Sequence, residues 1–263
     1  MIPAGLTTTG NPWCPEGMRT ADDADRVLVR LLGFAEADPA VAGAAITGSR
    51  ATGGGDAWSD IDLALGVTGP LGPAMERWTK RLYRDFAAVH HWDLPAGPAI
   101  YRVFLLPGWL EVDIAFAPET GFGPLGPNWR TVFGQTAELD QPEPPSAGTQ
   151  AGRAWHHALH ARACIERGRQ WQAEHWISAL RDQVLTLACL RLRYPDSYAK
   201  GAHLLPPELT VPLEAALVAS LDQAELRRAL GAAVAALAAE VERADPVLAI
   251  RLKPMLTELS ALP

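Results

Sequence analysis

Residues 46–67 read ITGSRATGGGDAWSDIDLALGV, and the fold turns on how this stretch is parsed. The short apolar run Ala44-Ala45-Ile46 predicts a buried strand. It breaks at Gly48-Ser49 and passes through a loop holding Gly53, Gly54 and Gly55. A second apolar strand starts at Ile61, with Asp60 and Asp62 at its mouth. Strand side chains alternate faces, so Asp60 and Asp62 share one face while Ile61 and Leu63 point into the body. Two adjacent carboxylates repel unless a positive group lies between them. A divalent ion with oxygen ligands is the usual solution, and Mg²⁺ is typically held by one or two carboxylates plus substrate phosphates. The Gly48-Ser49 turn adds backbone N–H groups and a hydroxyl that can reach phosphate oxygens. No Gly-Lys-Ser/Thr follows, so this is not a Walker A loop.

Working outward, Ala24, Val27, Leu28, Leu31, Leu32 and Ala35 recur at three- and four-residue spacings and predict a helix from Thr20. Thr20 or Asp22 would cap it and Pro39 would end it. Strands are expected over 41–47 and 60–67, and a second helix over 74–90. A turn at 95–98 precedes strands over 99–106 and 110–116, joined at Pro107-Gly108. In the last of these, Glu111 and Asp113 share one face. Residues 129–133 read as a strand or a helical turn. Pro142, Pro144 and Pro145 mark a linker over 140–148. Beyond it the strand signal fades, and helical patterns fill 149–167, 169–193, 207–221, 223–243 and 246–262.

The Gly48-Ser49 pair, a ten-residue spacer and Asp60-x-Asp62 together resemble the signature of the DNA polymerase β-type nucleotidyltransferase superfamily. Within it the chain most resembles the aminoglycoside and lincosamide nucleotidyltransferases. The resemblance implies an α+β protein: an N-terminal nucleotidyltransferase fold, a mixed sheet with flanking helices, followed by a C-terminal all-α helical bundle. The corresponding division is an arm over 1–20, a nucleotidyltransferase domain over 21–145 and a bundle over 146–263. The resemblance also implies a third carboxylate on the strand beside Asp60-x-Asp62. Asp113 is the first choice, with Glu111 in reserve.

Metal ligation then falls to Asp60, Asp62 and Asp113, holding two Mg²⁺ ions. Nucleotide binding falls to Gly48, Ser49, Arg50, Arg181 and Lys200. Lys200 lies in the loop YAKGAHLLP (198–206), which resembles the lysine loop of the adenylyltransferases. Glu174 and Arg181, seven apart, share a helix face, as do His175 and Asp182. Glu174 and Asp182 are the candidates for holding substrate. His156 and His160 stand one helical turn apart, but His-Glu-x-x-His is missing and no third ligand is visible, which speaks against zinc.

The implied activity is transfer of a nucleoside monophosphate, AMP from ATP, onto a hydroxyl of a small molecule, with antibiotic resistance as the matching role. Two alternatives stand beside it: a nucleotidyltransferase that adenylylates a protein, and a regulator with a dead transferase fold. The net charge of −7 argues against a nucleic-acid partner and favours a cationic acceptor. Three cysteines without metal spacing fit a reduced, cytoplasmic setting. The first fifteen residues lack the basic start and apolar core of a signal peptide, and no run suits a membrane span.

Overall fold

A computed structural model describes residues 20–141, 143 and 145–260. The arm expected over 1–20 lies outside the described residues except for Thr20, as do Pro142 and Pro144 of the linker. The chain divides into two units, Met1–Pro142 and Glu143–Pro263.

The first unit opens with α1 (Ala21–Ala37). Thr20 and Asp23 cap each other reciprocally, Thr20 Oγ1 accepting from Asp23 N–H while the Asp23 carboxylate accepts from Thr20 N–H. Next come β1 (Val41–Thr47), the one-turn helix α2 (Gly48–Ala51), β2 (Ile61–Val67) and α3 (Leu71–Phe86). β3 (His90–Ala96), β4 (Ala99–Leu106), β5 (Leu110–Pro118) and β6 (Trp129–Phe133) complete the unit. They form one six-stranded mixed sheet in the order β3-β4-β5-β2-β1-β6. β2 and β5 run parallel, and every other neighbouring pair is antiparallel.

One face of this sheet carries Ile46, Ile61, Leu63, Leu65, Val112, Ile114 and Phe116, packed against Leu31 of α1 and Trp78 and Leu82 of α3. The other face has a smaller apolar floor of Ala45, Ala64, Ala115 and Phe122, with Tyr101 and Trp129 packed against it. Phe122 can lie flat there because Gly43 and Gly66 face it; a Cβ at Gly43 would stand 2.6 Å from the ring.

Expectations over residues 74–98 need correction. The helix expected to reach residue 90 stops at Phe86, where Ala87 takes a left-handed conformation (φ 54°) as its C-cap. Residues 90–96 then form a strand, not the end of a helix and a turn. Its sequence, HHWDLPA, has no clean alternation because it is an edge strand exposed along most of its length. An edge also tolerates Pro95, which cannot donate to a ladder.

The second unit is helical: α4 (Ala147–Glu166), α5 (Gln170–Leu192), α6 (Pro207–Glu214), α7 (Gln223–Ala244) and α8 (Pro246–Ser260). Ser146 caps α4 by accepting from Thr149 N–H. The helix expected over 207–221 ends early, at Glu214. Alanines at 151, 154, 158 and 161 on α4 and 229 and 233 on α7 let the helices approach closely around Ile177, Leu180 and Leu237. Glu240, 1% exposed, accepts from Arg191 at 2.6 Å, so a buried carboxylate is matched by a guanidinium. No helix among the described residues is long and apolar enough to cross a membrane.

Candidate active site

The site forms where β1 ends beside the start of the antiparallel β2. Ile46 pairs with Leu63, which brings the end of β1 beside Asp62. There the chain turns into α2 through Gly48, held at φ 64°. A Cβ on Gly48 would stand 1.9 Å from Asp62 Oδ2. Only glycine permits both the left-handed backbone and this approach to the carboxylate. Ser49 follows, its hydroxyl buried and without a hydrogen-bond partner. A buried unpartnered hydroxyl costs desolvation free energy, which is what a polar ligand would recover.

The glycine loop returns the chain to β2 and is wrapped around Arg50. Its Nε donates to the Asp60 carbonyl at 2.9 Å, Nη1 to Asp25 at 2.6 Å and Nη2 to the Asp56 carbonyl at 3.1 Å. The side chain is only 5% exposed. Arg50 was expected to reach the nucleotide. Its guanidinium is instead turned into the loop, where it fixes the backbone of Asp60. Gly55 makes room for it, since a Cβ there would stand 2.7 Å from Arg50 Cγ.

The third carboxylate arrives on β5. Because β2 and β5 run parallel with Asp62 opposite Asp113, the two acids stand side by side on the sheet face away from α1 and α3. Carboxylate oxygens of Asp60, Asp62 and Asp113 all lie within 4.8 Å of one another. Glu111, exposed, lies on the same face of β5. Burial, and after it the charges of Glu111, Asp62 and Asp60, push the Asp113 carboxyl up to about 7. Asp113 Oδ1 is buried and has no hydrogen-bond partner. Burial and the same two aspartates, Asp62 and Asp113, also raise the phenol of Tyr101. This oxygen-only donor set, with an orphaned carboxylate oxygen and accumulated negative charge, suits Mg²⁺.

The structure thus brings together Gly48, Ser49, Asp60, Asp62, Asp113 and Glu111. Within the second unit, Ser178 on α5 links two further candidates: its hydroxyl donates to Glu174 at 2.7 Å and accepts from Arg181 at 3.3 Å. Asp182, on the same helix, is exposed. Lys200 is exposed in a short turn whose Tyr198 and Ala199 both have positive φ. The rings of His156 and His160 stand 4.3 Å apart and pack on Trp176. Among the described residues the three aspartates are the one group of three or more such side chains able to share a metal ion.

Sequence reading missed the support of the site. Arg50 was named, but for the nucleotide and not for holding the loop, and its partner Asp25 was not named at all. It also missed that Tyr101 and Val103 share the acid face. Their alternation along β4 was legible, but not which face it served.

No family model matches the chain, and no curated protein does. Among solved structures it is similar to an aminoglycoside 6-adenyltransferase from Bacillus subtilis, with a TM-score of 0.43 and 10% identity, over 93% of this chain and 100% of that one. It is also similar to a nucleotidyltransferase-like protein from Exiguobacterium sibiricum 255-15, with a TM-score of 0.39 and 13% identity, over 86% of this chain and 78% of the other.

Proposed function

We propose that the protein is a metal-dependent nucleotidyltransferase that moves a nucleoside monophosphate from a nucleoside triphosphate to a hydroxyl of a small acceptor. The observation that carries this reading is the convergence of three carboxylates, one with an orphaned oxygen, beside a glycine-opened turn whose serine hydroxyl is buried and unpartnered. ATP as the donor rests on the sequence resemblance, as does an aminoglycoside-like acceptor.

Asp60, Asp62 and Asp113 would hold divalent ions. Bound there, Mg²⁺ supplies charge for the triphosphate and acidifies a hydroxyl close to it. The Gly48 turn and the Ser49 hydroxyl would hold phosphate oxygens through N–H and O–H donors. The acceptor oxygen attacks the α-phosphorus in line, the bond to pyrophosphate breaks, and the acceptor proton passes to Asp113 or Glu111. Both carboxylates lie on the acid face, and a base need only be within hydrogen-bond reach. Arg50 keeps Asp60 in place through its backbone carbonyl. In the second unit, Lys200 and Arg181 remain candidates for the triphosphate, and Glu174 and Asp182 for the acceptor.

Thermal unfolding with ATP and Mg²⁺ tests the reading. A ligand at a hundred times its Kd stabilises by about 2.7 kcal/mol. The wild type should gain several degrees, whereas Asp60→Asn should fold normally and gain nothing. An Asp60→Asn protein that keeps the full shift, or keeps nucleotide transfer, refutes the metal role.

A further inference from the structure

The acid row has two unlike flanks. On the β1 side stand Gly48 and the Ser49 hydroxyl, the polar end that suits phosphate. The other flank follows from the register of three strands. Asp62 lies opposite Asp113, Asp113 opposite Val103, and Val103 opposite Trp92 on the edge strand β3. One row behind, Ala64 lies opposite Ala115, Ala115 opposite Tyr101, and Tyr101 opposite Leu94. All of these share the face away from the helices, because their strand neighbours Leu63, Val112, Ile114 and Phe104 lie in the helix-side core.

The β4–β3 wing beside the acids is therefore Val103, Tyr101, Trp92 and Leu94. Trp92 is 52% exposed and Leu94 48%. The ion pair of the same strands faces the other way: Arg102 and Asp93 pair with each other at 2.6 Å, and Arg102 also reaches Thr79 of α3. His90, opposite Leu105 and through it in line with Glu111, shares the acid face at the far end of the wing from Leu94. An exposed tryptophan and leucine on an edge strand are a liability unless something covers them. Through Val103 and Tyr101 they continue the acid row across β4 to the sheet edge.

We propose that the acceptor is a hydroxyl-bearing molecule with a flat apolar or aromatic face, seated on Trp92, Leu94 and Tyr101. This rests on reading the acid row as the centre of nucleotidyl transfer. With the triphosphate on the Gly48 side, the acceptor is left the β4–β3 side. Metal ions on the aspartates would cancel much of the negative charge that draws a polycation, leaving the apolar wing as the larger source of recognition. Tryptophan offers a wide, rigid surface for a ring or for the C–H face of a sugar.

Three matched probes test this: phenyl β-glucoside, methyl β-glucoside and glucosamine, each titrated calorimetrically with a non-hydrolysable ATP analogue and Mg²⁺ present. Phenyl glucoside should bind at least about tenfold tighter than the other two, a difference of the size one well-placed ring contact gives. Trp92→Ala and Leu94→Ser, both at exposed positions, should remove that advantage and leave affinity for the ATP analogue unchanged. Glucosamine binding best, no preference among the three, or full retention of phenyl glucoside by Trp92→Ala each overturns the proposal. So does a concentration-dependent dimer that Trp92→Ala dissociates, since a second copy would then be the cover. Phenyl glucoside binding at Trp92 without any binding of the ATP analogue would keep the apolar site and sink the transfer reading instead.

Discussion

Replacing Asp113 with asparagine should make the metal-free protein more stable, and increasingly so as the pH rises. Folding pushes the Asp113 carboxyl from 3.8 up to about 7, first through burial and then through its acidic neighbours. The folded state therefore holds this proton more tightly than the unfolded state. Between about pH 4 and pH 7 the unfolded chain has released the proton and the folded chain has not. Stability falls as the pH rises through that window, and the whole penalty is present above about 7. Each unit corresponds to about 1.4 kcal/mol, so three units set a ceiling of about 4 kcal/mol. Asp113 is only half-buried, and solvent screening brings the figure to about 2 kcal/mol.

Asparagine keeps the shape and removes the titrating charge. In EDTA, Asp113→Asn should exceed the wild type by about 2 kcal/mol at pH 8, or roughly 4–8 °C in Tm, and by almost nothing near pH 4. Added Mg²⁺ should reverse the order, stabilising the wild type and leaving the variant unchanged. Urea unfolding at four pH values, with and without Mg²⁺, measures both effects. A difference that stays constant with pH, or a wild type that gains on the variant towards pH 8 without metal, refutes the electrostatic account.

Two further perturbations test the scaffold of the site. Gly48→Ala adds a Cβ 1.9 Å from Asp62 Oδ2 on a backbone at φ 64°. It should cost about 1–3 kcal/mol by denaturant unfolding and eliminate the Mg²⁺–ATP thermal shift, so an alanine variant with an unchanged shift would show that Asp62 is not part of the centre. Arg50→Met removes donors to Asp25, Asp56 and Asp60 from a buried position. It should cost about 3 kcal/mol, speed amide exchange across residues 52–60 and weaken Mn²⁺ binding severalfold in a calorimeter; normal exchange there would show that the loop holds its shape without the guanidinium.

The sequence by itself determined what depends on neighbours along the chain. The break at Gly48-Ser49, the alternation that puts Asp60 and Asp62 on one face, the pairing of Glu111 with Asp113 on another strand, and the periodic helices were all legible because their causes are backbone geometry and local spacing. Only the tertiary structure decided that β5 lies parallel to β2 with Asp113 opposite Asp62, since register between distant strands is fixed by the packing of both sheet faces at once. The same holds for Arg50, whose role depends on which carbonyls the folded loop turns inward. It holds too for β3, an edge strand whose exposure erased the alternation that would have announced it, and which sets Trp92 in line with the acids.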